Sequence, residues 1–245
     1  MIRYIKNKFQ NKFGVKNLRG FFYKAIKKVY FIVVPKLGYT LAGKVNTTMI
    51  LFDSPIYGDN AKVLSDYVSQ NKKYKIIYLT DNKKNINKSN NIKLLNRSFW
   101  ASKNQQHIYT FRAYYYAAKA KYVFYTHSFN WPRKKHKSEQ KIINLWHGSG
   151  YKASVPQKDA DTFDKMLVPG EIFIRSKAEF FNCEEEKIIP LGYPRYDIFK
   201  SDTKAKFENF IKNLELKGRK IITWLPTFIE DSALFLYKKD RKSVV

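Results

Sequence analysis

From residue 47 onward the chain alternates short apolar runs with helical stretches, and this alternation restricts its fold more than any other feature. Runs at 48–52, 74–79, 92–95, 122–125, 142–146, 166–168 and 188–191 are rich in Ile, Leu, Val and aromatic residues, and helical patterns fill 61–70 and 110–119. Short strands that are apolar on both faces and separated by helices form a parallel sheet covered on both sides. The expected fold class is therefore α/β with a Rossmann-like parallel sheet, whose ligands bind in the loops at the carboxyl ends of the strands. With 245 residues, 44% of them hydrophobic and 17% aromatic, the chain can fill such a core.

The two ends depart from this pattern. Ile2, Ile5, Phe9 and Phe13 fall on one helical face, as do Leu18, Phe22, Ala25 and Val29, while Lys24, Lys27 and Lys28 interrupt the apolar run. That leaves nothing near the roughly 20 consecutive apolar residues needed to span a bilayer, and no small-residue cleavage site marks a signal peptide. Basic amphipathic helices of this kind lie in the interface of an anionic membrane; the alternative is a helix that packs its apolar face on the domain and keeps its lysines in water. At the other end, 203–216 reads as a helix, 217–219 as a break and 221–225 as a new strand, after which only 226–245 follow. The expected organisation is 1–45 as basic membrane-associating helices, 46–216 as the Rossmann-like domain, and 217–245 as the start of a second domain that is cut short.

The 47 Lys and Arg against 20 Asp and Glu give a net charge of +27, which favours anionic partners: nucleic acid, acidic lipid head groups or phosphorylated substrates. No nucleic-acid-binding motif accompanies the charge, and the aromatic residues follow strand and helix periodicity instead of forming a stacking platform, so nucleic acid is not an expected partner. A single cysteine, Cys183, excludes an intramolecular disulfide and a cysteine-based zinc site. The four histidines, His107, His127, His136 and His147, show no metal-ligand spacing, so neither a metal nor another cofactor is expected.

Two loops carry the chemistry. His147 directly follows the apolar run ending at Trp146, and Gly148, Ser149 and Gly150 come next, with Lys152 beyond them. Glycine lets backbone approach a ligand closely and turn N–H groups toward phosphate oxygens. An imidazole is suited to take a proton from an attacking hydroxyl; a capped turn around a structural histidine is the other reading. In the second loop, Gly192 and Pro194 fix a turn, Arg195 can clamp a phosphate and Asp197 can orient it or cap the next helix, unless Arg195 and Asp197 simply pair with each other.

Taken together, Trp146-His147-Gly148-Ser149-Gly150-Tyr151-Lys152, Gly192-Tyr193-Pro194-Arg195-Tyr196-Asp197 and Leu225-Pro226-Thr227-Phe228-Ile229 resemble the motifs of the CDP-glycerol glycerophosphotransferases of teichoic acid synthesis, with further matches at 58–62 and 120–123. The resemblance implies the N-terminal domain of a GT-B fold at the cytoplasmic face of the cell membrane, and transfer of glycerol phosphate from CDP-glycerol to a lipid-linked or polymer acceptor hydroxyl with release of CMP. CDP-ribitol is an alternative donor. His147 would be the general base, and Gly148, Lys152, Arg195 and Asp197 would face phosphate or shape the cleft. Ser149 and Gly150 stand where the family pattern has Thr and Pro, and Ile229 stands where it has Arg. The family's second domain is expected after Thr227, so a separate chain supplying it, or an inactive remnant, are the alternatives to a complete enzyme.

Overall fold

The computed structural model describes residues 18–82, 91–101, 107–127, 138–148, 163–200, 208–209 and 212. The helical pattern at 2–13, Ser149, Gly150, Lys152, the helix expected over 203–216 beyond those few positions, and the third motif at 225–229 lie outside the described residues. The chain divides into two compact units, 1–200 and 201–245, and the sheet lies entirely in the first.

Among the described residues seven strands form one parallel sheet: β1 (Asn46–Asp53), β2 (Lys75–Thr80), β3 (Ile92–Asn96), β6 (Ala120–Tyr125), β7 (Lys141–Asn144), β8 (Lys165–Leu167) and β9 (Ile188–Ile189). Two more, β4 (Ser98–Ala101) and β5 (His107–Tyr109), follow β3 in the chain and form an antiparallel pair apart from that sheet. The order across the main sheet is β3-β2-β1-β6-β7-β8-β9. The chain runs outward from β1 to β3, then returns to the other side of β1 and runs outward again. The order therefore reverses between β1 and β6, where a crevice opens beyond the carboxyl ends of the strands. The β4–β5 pair has no counterpart in the sequence expectations, because its strands are too short for a period-two pattern to stand out.

Alternation along the strands sorts the core onto two faces. Met49 and Leu51 of β1, Ile77 and Leu79 of β2, Val123 of β6 and Ile142 of β7 point to one side, under α1 (Leu18–Ala42), α3 (Phe111–Lys119) and α4 (Ile174–Phe181). Ile50 and Phe52, Ile76 and Tyr78 point to the other, under α2 (Asp59–Ser69). Helix α3 starts where Thr110 accepts a hydrogen bond from the Ala113 N–H, the N-cap geometry that relieves an orphan donor. Helix α4 ends with Asn182 in the left-handed region at φ 46°, next to the half-buried Cys183.

Helix α1 packs on α3 through small residues. Gly38 lies so close to α3 that a Cβ there would come within 2.8 Å of the Tyr114 Cβ. Pro35, Gly38 and Ala42 are buried at helical spacing, the Tyr30 hydroxyl donates to the Tyr109 carbonyl at 2.8 Å, and Lys119 reaches the Ala42 carbonyl at 2.9 Å. The outward face carries a row of apolar side chains: Val29, Ile32, Val33, Leu37 and Leu41 are all exposed. No helix among the described residues is long and apolar enough to cross a membrane.

Candidate active site

The carboxyl edge of the sheet, at the reversal point, brings together three loops distant in sequence. The first follows β1 and enters α2 at Gly58-Asp59-Asn60; the second follows β7 at Leu145-Trp146-His147-Gly148; the third follows β9 at Gly192-Tyr193-Pro194-Arg195.

Asn60 joins all three. It is fully buried in the first turn of α2, where its Nδ2 donates to the carbonyls of Leu145 at 3.1 Å and Trp146 at 2.9 Å, and its Oδ1 accepts from the Arg195 backbone N–H at 3.3 Å. These bonds hold the β7 loop in a conformation it would otherwise avoid. Trp146 sits at φ 50°, in the left-handed region, which costs a bulky residue on the order of 1–3 kcal/mol. Asn144 contributes from below by accepting the Trp146 N–H at 2.8 Å, although its own Nδ2 is buried with no acceptor among the described residues. Strain fixed by surrounding hydrogen bonds is a mark of a functional loop.

Arg195 makes the second tie. Its Nη1 donates to Asp59 Oδ1 at 2.8 Å and to the His147 carbonyl at 3.0 Å. Burial works against its charge, but the bond and ion pair with Asp59 outweigh this and hold the guanidinium above its ordinary value. The carboxylate it pairs with is Asp59, 136 positions away, where the simple turn reading had the neighbouring Asp197. Gly148 has φ 157°, and Arg195 Nη2 is the nearest atom that a Cβ there would meet, at 3.7 Å. Asp197 is exposed and lines a separate shallow cavity of about 280 Å³ with Tyr67, Leu191 and Pro194. The structure thus brings His147, Gly148 and Arg195 together and places Asp197 on the α2 side of the third loop.

His147 projects from this frame. The Trp146 ring stacks on it with centroids 4.2 Å apart, and the His127 ring, from the end of β6, stacks at 4.5 Å with 21° between planes. His127 is set in turn by the Thr126 hydroxyl, 2.8 Å from its Nδ1, which itself bonds Ser54 at 3.0 Å. Desolvation of the covered faces, then the neighbouring His127, lower the His147 pKa to about 4; Asp59 opposes this, and Arg195 and Lys177 add to it. The residue as a whole stays exposed, so water screens part of these effects. At neutral pH the imidazole is uncharged and able to accept a proton.

Behind the site lies a buried ionic network that the sequence did not reveal. Asp53, at the end of β1, and Arg97, just past β3, are each 1% exposed. Arg97 Nε donates to Asp53 Oδ1 at 2.6 Å, Arg97 Nη2 to the Tyr109 hydroxyl at 3.0 Å, and that hydroxyl to Asp53 Oδ2 at 2.5 Å. Burial drives the Asp53 carboxyl up, and Arg97 and Tyr109 pull it back. Burial likewise works against the Arg97 charge, yet the Asp53 carboxylate holds the guanidinium above its ordinary value. The network clamps the ends of β1 and β3 to the β4–β5 pair. A charged residue closing an otherwise apolar strand, at Asp53, is the one sequence signal for it. No group of three or more potential metal ligands occurs among the described residues.

Over residues 38–243 the sequence matches the family described as CDP-Glycerol:Poly(glycerophosphate) glycerophosphotransferase. The chain belongs to that family. It is 30% identical over 142 residues to the teichoic acid ribitol-phosphate polymerase TarK of Staphylococcus aureus (strain NCTC 8325 / PS 47), a match covering 48% of this chain and 26% of that protein. Against TarL, a teichoic acid ribitol-phosphate polymerase of the same organism, identity is 29% over 136 residues, covering 48% and 24%. The chain thus spans about a quarter of the length of these curated relatives. Its fold is similar to that of the wall teichoic acid polymerase TagF in a histidine-to-asparagine variant with CDPG, at a TM-score of 0.61 and 18% identity, covering 85% of this chain and 56% of that one. TagF without such a substitution gives a TM-score of 0.57 at 17% identity, covering 85% and 55%. This family member therefore has the parallel α/β sheet of the N-terminal part of the TagF fold.

Proposed function

We propose that this family member takes part in transfer of a polyol phosphate from a CDP-polyol, CDP-glycerol in the first instance, to a hydroxyl of a lipid-linked or polymer acceptor. The acceptor oxygen attacks the phosphorus that carries the polyol, the P–O bond to the cytidine-bearing phosphate breaks, and CMP leaves with the bridging oxygen. His147 takes the hydroxyl proton. The observation that carries this reading is the His147 imidazole stacked on His127 and held on a strained loop by Asn60 at the carboxyl edge of a parallel sheet. A base that is uncharged before substrate arrives gains proton affinity once an anionic diphosphate enters beside it, which matches proton uptake to the moment of reaction. Arg195 fixes the loop through Asp59 and the His147 carbonyl, and Gly148 leaves room for close approach of a phosphate beside it.

The relatives TarK and TarL carry ribitol phosphate in their names, and TagF was combined with CDPG, so both donors merit direct comparison. The full-length gene product, given membranes with a polyol-phosphate acceptor, is expected to release CMP from CDP-glycerol or CDP-ribitol; release from neither refutes the proposal. A place at the cytoplasmic face of the membrane is supported by the exposed apolar row Val29, Ile32, Val33, Leu37 and Leu41 on a helix whose amino-terminal half contains Lys24, Lys27 and Lys28. Co-sedimentation with anionic vesicles that survives Leu37→Glu/Leu41→Glu would contradict it.

A further inference from the structure

Lys177 stands over the Trp146–His147 stack from the α4 side. Its Nζ lies 5.7 Å from the centroid of the Trp146 ring and 5.2 Å from that of Phe180. Trp146 also touches Phe181, at 4.9 Å between centroids, so the ammonium rests on a rigid aromatic tray that ends at the His147 ring. The side chain is half-buried, and burial lowers its pKa. Among the described residues it has no carboxylate and no hydrogen-bond acceptor. The acid of α4, Glu179, is taken by Arg175 at 3.0 Å on the outer face of the helix.

An ammonium without an anion, kept partly out of water, is a costly arrangement in a folded protein, and attraction to ring faces returns only part of that cost. Arg195 lies across the loop, where its charge, like that of Lys177, disfavours a proton on His147. Asp59 is committed to Arg195. Among the described residues, the charges of Lys177 and Arg195 therefore both act on His147, and the Asp59 carboxylate opposes them.

We infer that Lys177 is the cation that receives a phosphate oxygen of the substrate at the His147 site, with the Trp146 ring holding its ammonium in position. The inference rests on the transfer reaction proposed above and assigns one of its phosphate-binding groups to a residue outside the two motif loops. The recognised chemistry is an anionic phosphoryl oxygen, which either the diphosphate of the donor or a phosphodiester of the acceptor can supply. An ammonium here binds as a point charge, so position matters more than fork geometry.

The test is equilibrium binding by calorimetry with the full-length gene product, using CDP-glycerol in one arm and a glycerophosphate trimer in the other. Lys177→Met keeps the stem on the tray and removes the charge; Lys177→Arg restores the charge. Loss of binding by roughly tenfold or more in Lys177→Met, with recovery in Lys177→Arg and an unchanged melting temperature in both, is the expected result. The arm that shows the loss identifies the source of the phosphate. Equal affinity of Lys177→Met and the parent in both arms overturns the inference. So does an equal loss in Lys72→Met, an exposed lysine in the turn before β2 at the amino edge of the sheet, since that would mark binding to net charge alone. Binding involves no proton transfer, so a failure of His147 as base would leave this result standing, and the reverse holds as well.

Discussion

Replacing Asn60 by alanine removes the side chain on which the site is built. Two bonds from Nδ2 are lost, both to loop carbonyls, and the one to Leu145 is buried. The longer bond from the Arg195 N–H goes with them. A net loss of about 0.5–1.5 kcal/mol per bond, with the larger penalty for a carbonyl left buried and unpaired, gives a destabilisation of about 2–4 kcal/mol. The loop then has less to hold Trp146 in the left-handed region, and relaxation of that residue returns part of the cost while moving His147 off its stack with His127. Asn60→Asp should be at least as harmful, because a carboxylate would face two carbonyl oxygens. Urea unfolding followed by circular dichroism measures the first effect, and the ring-current shift of the His147 Cε1 proton measures the second. A loss below about 0.5 kcal/mol together with an unshifted His147 resonance would refute the reasoning, since Asn60 would then be a bystander in a loop held by other contacts.

Three further outcomes follow from the same geometry. Asp53→Asn leaves Arg97 charged and buried beside a neutral amide and is expected to cost about 3–5 kcal/mol in the same unfolding assay, whereas a loss under about 1 kcal/mol would mean the pair is not closed as described. Gly38→Val forces branching carbons against Tyr114 and should destabilise the α1–α3 contact by about 1–3 kcal/mol, read as a lower melting temperature. The His147 proton affinity is depressed in the native state, so the native protein binds fewer protons than the unfolded chain between the ordinary histidine pKa near 6.5 and about 4. That contribution to stability is intact above the upper value and is lost as pH falls through the window; an NMR titration midpoint at or above 6.5 would contradict it.

Much of this arrangement can be read from the residues. The apolar runs at 48–52, 74–79 and 122–125 become β1, β2 and β6 because strands buried on both faces need no alternation, and the order of elements implies a parallel sheet. The placement of His147 at the carboxyl edge follows from the strand that precedes it. What the sequence hides is contact between distant positions. Asp59 and Asn60 precede the helical pattern at 61–70 and lie within the motif match at 58–62, and only the fold shows them holding Arg195 and the Trp146 carbonyl. Within the third loop, Asp197 is the acid that sequence proximity offers Arg195, but the guanidinium reaches across the crevice to Asp59 instead. Lys177 and His127 belong to no motif at all, and each becomes visible only through the ring it lies against.

The measurement that bears most directly on the proposed role of His147 is CMP release from the CDP-polyol by the full-length gene product carrying His147→Asn, in the presence of acceptor. A fall of about a hundredfold or more in kcat, with donor binding and melting temperature unchanged, is the result expected for loss of the proton acceptor. Turnover within a few-fold of the parent protein would contradict it and leave His147 as a structural ring in the loop that Asn60 holds.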